Sequence, residues 1–394
     1  MNESSSQPLR VFVSEYVTGG AWPEGVPAGS LAREGAAMLQ GVVADLAGAP
    51  GLEVHTTWDC RLGPAEWSRH LPGPVRSPLT VHEANSPAEE AELFAIWSGS
   101  ANAVLVIAPE LDGLLTQRCR AVEQRGGQLL GPTGEAVELC ADKWRLAQHL
   151  HSSNIRTIRT ELCDLALADG PTRDWPCVIK PRFGAGSTST FRLSTPAAFR
   201  ELHDRRHEEP ALCDAVVQPW LPGTAASMAV ICEGFGGRCH PLPLARQRLS
   251  TDGRFQYLGG ELPLRSRLAS RAQEVARATC GSIPGLRGFV GVDLLLDEET
   301  GTVTVVEINP RLTTSYLGYR QLAQSTRGDD GALLSGGAAL ARTLVWPSLA
   351  GTSLHFADSP TVEFQPADLE PSGPNTGSIP MATKSFLSPN PSGV

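Results

Sequence analysis

Residues 291–311 read GVDLLLDEETGTVTVVEINPR. Two β-rich runs flank an acidic, glycine-containing turn, the pattern of an antiparallel hairpin. Side chains at i and i+2 share one face of a strand, so Glu307 and Asn309 project together. A turn centred near Thr300 sets Asp293 across the ladder from Glu307. Directly opposed residues have Cβ atoms about 4.5–5.5 Å apart, where like charges destabilise the pairing. The flanking FVGVDLLL and VTVVEI look like buried strands, in which an unpaired charge is costly. A cation between the carboxylates resolves the conflict. Mg²⁺ takes oxygen ligands, commonly one or two carboxylates with phosphate oxygens and water completing the shell. Asp293, Glu307 and Asn309 are therefore the expected metal ligands, with Mn²⁺ as an alternative ion. The competing explanation is a solvated hairpin face that carries two unrelated acids.

Upstream, residues 178–190 read VIKPRFGAGSTST, a strand, a lysine and then a glycine-rich turn. The order is the reverse of the GxxxxGK[ST] phosphate loop, in which lysine follows the glycines. Lysine is scarce: of 33 Lys+Arg, only Lys143, Lys180 and Lys384 are lysine. Where arginine serves as the routine surface cation, a retained lysine points to work that a compact point charge does better than a planar fork, such as polyphosphate binding. Without a Cβ, Gly184 and Gly186 let backbone N–H groups approach phosphate oxygens. The bland alternatives are an exposed helix lysine at 143 and a plain hairpin turn at GAGS.

The chain has 394 residues and a net charge of −9 with no basic block, which argues against a nucleic-acid surface. Its nine cysteines are odd in number and form no CxxC pair, so neither a disulfide framework nor a zinc site is expected. No apolar run approaches bilayer length, and the expectation is a soluble cytoplasmic protein that does not bind membranes. His203 and His207 have i,i+4 spacing but no third ligand nearby, which fits an exposed helix face.

The expected fold class is α/β, with an N-terminal doubly wound parallel sheet followed by a two-part domain with antiparallel sheets. Residues 1–9 are expected to be disordered. Strand and helix patterns alternate over 10–135, including a helix at SLAREGAAMLQGVVADLA with Ser30 as its N-cap. Ligands of such sheets sit at the carboxyl ends of strands, so Glu15 and the Thr18, Gly19, Gly20 loop are candidate substrate contacts. A lid subdomain over 136–222 and a metal-bearing subdomain over 223–346 follow. Residues 347–394, rich in Pro, Ser, Gly and Thr, read as a disordered tail.

Taken in order, DKW at 142–144, VIKPRFGAGS at 178–187, VVQPWLPG at 216–223 and the 291–311 hairpin resemble the ATP-grasp superfamily over roughly residues 130–345. The resemblance implies that Lys143 and Lys180 contact nucleotide phosphates, and that Gly184 to Ser187, including Gly186, form a flap over them. It also places Gln218, Pro219, Trp220 and Leu221 at the adenine, with Mg²⁺ on Asp293, Glu307 and Asn309. The sequence departs from the family at Ala225, where a ribose-binding glutamate is common. EYVTGG, SLAREGAAML, ARQRLSTDGRFQYLGGELPL and EINPRLTTSYLGYR are similar to the tyramine/glutamate ligase group of methanofuran-type cofactor biosynthesis. The resemblance implies an ATP-dependent carboxylate-amine ligase acting on a small-molecule acid and amine through an acyl phosphate. Arg311 is the first candidate for stabilising that intermediate, and Arg246 and Arg248 are the second. A kinase-like phosphotransferase and a non-catalytic ATP-binding module remain the rival functions.

Overall fold

Val11, Phe12 and Val13 are fully buried because β1 (Leu9–Glu15) is an inner strand of a parallel sheet covered on both faces. The computed structural model describes residues 7–23, 25–65, 67, 75–163, 165, 175–234, 236–328 and 331–365. After β1 come α1 (Gly29–Ala47), β2 (Leu52–Asp59), β3 (Leu79–Ala84), α2 (Pro87–Ser100), β4 (Ala103–Ile107) and α3 (Leu114–Gln124). The N-cap of α1 is Ala28, so Ser30 lies inside the first turn and the capping expectation is corrected. The strand order is β3-β2-β1-β4, all parallel, which makes the gap between β1 and β4 the point where the winding reverses. The sequence reading missed β3: LTVHEA is a mostly half-buried or exposed edge strand without clean apolar alternation.

Next come α4 (Gly134–Ala141) and α5 (Lys143–Ser152), then a four-stranded antiparallel sheet. Its strands are β5 (Glu161–Cys163), β6 (Cys177–Pro181), β7 (Phe191–Leu193) and β8 (Ala215–Pro219), in the order β5-β8-β6-β7. The helix α6 (Pro196–Asp204) sets Phe199 and Leu202 against Cys177, Ile179 and Leu193.

The remaining elements build a seven-stranded sheet. They are β9 (Thr224–Cys232), β10 (Cys239–Pro241), β11 (Ala245–Leu249), β12 (Tyr257–Leu262), α7 (Ala269–Gly281), β13 (Gly288–Asp297), β14 (Thr302–Asn309), α8 (Tyr316–Leu322), β15 (Thr326–Arg327), β16 (Leu333–Leu334), α9 (Gly336–Val345) and β17 (Val362–Phe364). The order is β14-β13-β9-β11-β12-β17, with β10 against β9 and β15 paired with β16 separately. Met228, Val230, Val292 and Leu294 on one face pack with α7 and with Ala136, Cys140, Leu146 and Leu150 of α4 and α5. Those two helices thus belong with the large sheet, although the sequence reading put them in the lid segment. On the other face, Ala229, Ile231 and Phe289 join α8, α9 and the α1 side of the first domain in one continuous core. Asp45 of α1 locks that junction, accepting two hydrogen bonds from Arg320 (2.8 Å each) and one from Tyr316 (2.9 Å).

The expectation of a loose segment from 347 is corrected in part. Val362–Phe364 pairs with β12, and buried Phe364 lies against Gly260 and Gly318. Its three-residue length and Pro-rich surroundings gave no periodic signal. The rest of the expected tail, 366–394, and most of the N-terminal segment, 1–6, lie outside the described residues.

Candidate functional site

Asp293 pairs with Glu307 as the hairpin reading expects, but by a different route. From Asp297↔Thr302 to Leu294↔Val305 the ladder is regular, and that register would set Asp293 opposite Val306. A bulge after Leu294 skips Val306 and brings Glu307 into opposition. Val303 and Val305 lie in the apolar core with α7, and unbroken alternation would send Glu307 after them. The bulge therefore re-aims one carboxylate out of the core and onto the face that bears Asp293.

Asp293 accepts hydrogen bonds from Gln247 Nε2 (2.9 Å) and Asn309 Nδ2 (3.1 Å). With its amide nitrogen turned to Asp293, Asn309 keeps its oxygen as a free donor for a metal. Burial, then the Glu307 charge, push the Asp293 carboxyl up to about 8. Burial also opposes ionisation of Glu307, but Lys180, Lys143 and Arg311 outweigh it and hold that carboxyl below its ordinary value. Among the described residues no group of three or more His, Cys, Asp or Glu side chains gathers to hold a metal. Two carboxylates and an amide oxygen fit Mg²⁺, which retains waters and phosphate oxygens.

Lys180, on β6 and 8% exposed, places its Nζ 3.9 Å from Glu307 Oε2, so the four-stranded sheet faces the carboxylate hairpin. Lys143 opens α5 and donates from Nζ to the Gly184 carbonyl at 2.8 Å. Burial pulls its ammonium below the usual lysine range, against the pull of Glu307. Asp142 caps α5 and binds Arg182 through both carboxylate oxygens (2.9 and 2.6 Å), which ties the flap's first residues to that helix. Gly184 and Gly186 have φ of +128° and +70°, values that a Cβ disfavours, and their turn is open to a ligand. Ser187 Oγ donates to the Phe255 carbonyl (2.8 Å), and Arg192 N donates to the Gly253 carbonyl (2.8 Å). The flap is thus closed onto the β11–β12 turn.

The chain passes from β8 to β9 through residues 220–223, the hinge between the two sheets. Gln218 donates to Thr160 Oγ1 (2.8 Å), Trp220 stacks under the Arg192 guanidinium (4.1 Å), and Pro219 and Leu221 are half-buried beside them. Ala225 sits opposite Leu295 in the sheet and supplies no acid for a ribose.

Arg311, two residues beyond Asn309, reaches into the first domain and pairs with Glu110 at 2.9 Å, with the two side chains 16% and 6% exposed. Burial opposes its charge; Glu110, Glu34 and Glu307 more than restore it. Glu110 follows β4 at its carboxyl end, and Glu15 ends β1, so the ends that flank the winding reversal converge on Arg311. Burial pushes both Glu15 and Glu34 above the ordinary carboxylate value, with Arg311 pulling the other way.

The sequence-derived substrate contacts are differently employed. Glu15 Oε2 accepts hydrogen bonds from Thr18 N (2.5 Å) and Thr18 Oγ1 (2.7 Å), and its carboxylate packs on Gly35. Glu15, Thr18, Gly19 and Gly20 are all buried, with Glu15 and Thr18 bonded to each other. Arg246 pairs with Glu261 (2.8 Å) and Arg248 with Glu363 (3.1 Å). Strand alternation on β11 turns Gln247, not its two arginine neighbours, toward Asp293. In this structure both arginines are engaged by acids, and Arg248 keeps one buried nitrogen without a partner; Gln247, Glu110 and Glu34 are polar neighbours of the site that the sequence reading did not name. Glu110 had a signal in the sequence, since it directly follows the buried strand AVLVIAP. Asp142 was legible only as part of DKW. The helix α6 ends at Asp204, so His207 falls outside it and the two histidines do not form an i,i+4 pair.

Residues 140–315 match the family model for the ATP-grasp domain, and residues 52–137 match that for the pre ATP-grasp 3 domain. The chain carries an ATP-grasp domain. A tyramine–L-glutamate ligase of Methanocaldococcus fervens is 27% identical over 216 residues, covering 55% of this chain and 60% of that protein. The match thus spans about three-fifths of that relative. Among solved structures, N5-carboxyaminoimidazole synthetase from Staphylococcus aureus superposes with a TM-score of 0.60 at 14% identity, over 90% of this chain and 81% of that one. The L-amino acid ligase from Bacillus licheniformis gives 0.58 at 14% identity, over 86% of this chain and 75% of that one. These two likenesses establish the ATP-grasp fold. No described helix is long and apolar enough to cross a membrane.

Proposed function

We propose that this protein joins a carboxylic acid to an amine at the expense of ATP, releasing ADP and phosphate. The observation that carries the reading is the reach of Arg311 from the metal hairpin to Glu110 of the first domain. The pair brings the carboxylate hairpin and the carboxyl end of β4 together, which supports reading the two as parts of one site. A substrate carboxylate oxygen attacks the γ-phosphorus, the bond to the ADP oxygen breaks, and an acyl phosphate forms. The amine then displaces phosphate from the acyl carbon. Asp293, Glu307 and Asn309 would hold Mg²⁺, which would supply positive charge against that of the phosphates. Lys143 and Lys180 neutralise the polyphosphate, the glycine flap excludes water, and Arg311 faces the charge that grows on the acyl oxygen. The names of the relatives support glutamate as the acid and a small aromatic amine such as tyramine as its partner, a step suited to one-carbon cofactor synthesis in the cytoplasm.

The test is ADP release from ATP and Mg²⁺ with glutamate and a panel of amines and amino acids, with products read by mass. Release that requires both an acid and an amine, with an amide product, supports the ligase. A phosphorylated product without an amine requirement makes the protein a phosphotransferase. ATP binding without turnover across the panel makes it a binding module.

A further inference from the structure

Arg311 and Glu110 form one ion pair, yet each keeps a buried polar atom without a hydrogen-bond partner, Nε on the guanidinium and Oε1 on the carboxylate. Glu110 is 7% exposed, so bulk water does not readily serve that oxygen. Buried polar groups normally find partners, and an orphan in a cleft marks a place where a ligand supplies one. Here one orphan is a donor and the other an acceptor. A phosphate or carboxylate satisfies Arg311 alone, and a cation satisfies Glu110 alone. An acyl phosphate oxygen beside an ammonium satisfies both, and those are the two reactants of amide formation.

The surroundings favour a cation at Glu110. The neighbouring Glu15 carboxylate is occupied by Thr18, which leaves the Glu110 oxygen as the unpartnered acceptor. Lys143 and Lys180 are directed to the flap and to Glu307. Glu110 lies at the carboxyl end of β4 beside β1, where open α/β sheets receive ligands.

We propose that Glu110 forms the ammonium subsite for the amine substrate, a role that rests on the ligase reading above. As Arg311 turns to the acyl phosphate, Glu110 takes the substrate ammonium in its place. The ammonium gives one proton to Glu110 and its nitrogen attacks the acyl carbon. The C–N bond forms and the C–O bond to phosphorus breaks. A second proton from nitrogen leaves with the phosphate as HPO₄²⁻, and Glu110 returns its proton to solvent once the product departs.

The test compares two nucleophiles on wild type and Glu110→Gln, each supplied with ATP, Mg²⁺ and glutamate. Hydroxylamine is uncharged at neutral pH and traps the acyl phosphate as a hydroxamate; tyramine arrives as an ammonium. The ratio of kcat/KM for tyramine to that for hydroxylamine normalises any damage to Arg311 or to folding. Loss of the charge-assisted hydrogen bond and of the proton acceptor lowers this ratio at least about tenfold, through both the KM and the kcat for tyramine. Glu110→Asp recovers part of it. A ratio within about twofold of wild type would mean that Glu110 serves Arg311 alone, and overturns the subsite. A wild type that forms neither hydroxamate nor amide from any acid or amine tested refutes the ligase reading itself, which is a different result from an unchanged ratio, and the subsite falls with it.

Discussion

Replacing Asp293 with asparagine separates folding from metal binding. In metal-free protein the Asp293 carboxyl is pushed up to about 8 by burial and by Glu307, so at pH 7 it holds a proton and asparagine imitates it. Two opposed unit charges about 5 Å apart repel by about 3 kcal/mol at an effective dielectric constant of about 20. With Asp293 already protonated, that conflict is absent from the wild type too, and asparagine, a neutral isostere, disturbs the hydrogen bonds from Gln247 and Asn309 by about 1 kcal/mol in all. The net change in metal-free stability at pH 7 is therefore small, within about 1 kcal/mol. Metal linkage behaves differently: at a hundred times its dissociation constant a ligand stabilises the wild type by about 2.7 kcal/mol, and the variant loses that gain. The pH dependence has a definite sign. An acid whose native pKa is raised holds more protons in the native state than in the unfolded one, so its contribution to stability falls as pH rises from about 4 to about 8. Asparagine removes that slope. The assay is thermal unfolding at pH 6, 7 and 8, with EDTA or with saturating Mg²⁺ and ADP. A variant that is strongly destabilised in EDTA, or that keeps the full Mg²⁺-dependent shift, refutes the assignment of Asp293 as a metal ligand.

Lys180→Met is expected to reduce ATP turnover by about 10²–10³-fold or more while far-ultraviolet circular dichroism stays unchanged, because its ammonium is the charge nearest Glu307. Asp45→Ala strips Arg320 and Tyr316 of a fully buried partner and is expected to cost about 3–5 kcal/mol in urea unfolding, with specific activity of the folded fraction retained. Phe364→Ala is expected to lose about 3–5 kcal/mol by the same assay, although the residue lies in a stretch that reads as tail. A loss below about 0.5 kcal/mol, the size of an ordinary surface substitution, would mean that β17 does not hold the sheet edge.

Chemistry carried by residue type was legible in the sequence, and chemistry set by assembly was not. Asp293, Glu307, Asn309 and Lys180 could be found because strand period and apolar flanks constrain where such side chains point. Even there, the bulge that skips Val306 is invisible to alternation, and the right partner emerged from a turn centre placed half a residue away. Glu15 and Thr18 looked like ligand groups because they end a strand, but only the fold shows them spent on each other. Arg246 and Arg248 bracket Gln247, the residue of β11 that bonds Asp293, and the motif read as a block did not single it out. Glu110 and Glu34 are separated from Arg311 by roughly 200 and 280 positions, and local pattern carries no information about such a meeting. β17 was missed because three residues cannot display a period.

The central claim, that an acid is activated as its acyl phosphate before an amine displaces phosphate, is tested most directly by isotope transfer. Glutamate labelled with ¹⁸O in its carboxylates is incubated with the protein, ATP, Mg²⁺ and the amine that supports turnover, and the released phosphate is weighed by mass spectrometry. The attacking carboxylate oxygen stays with phosphorus when the amine displaces it, so one ¹⁸O should appear in phosphate for each amide formed. Amide formation with unlabelled phosphate would contradict the account.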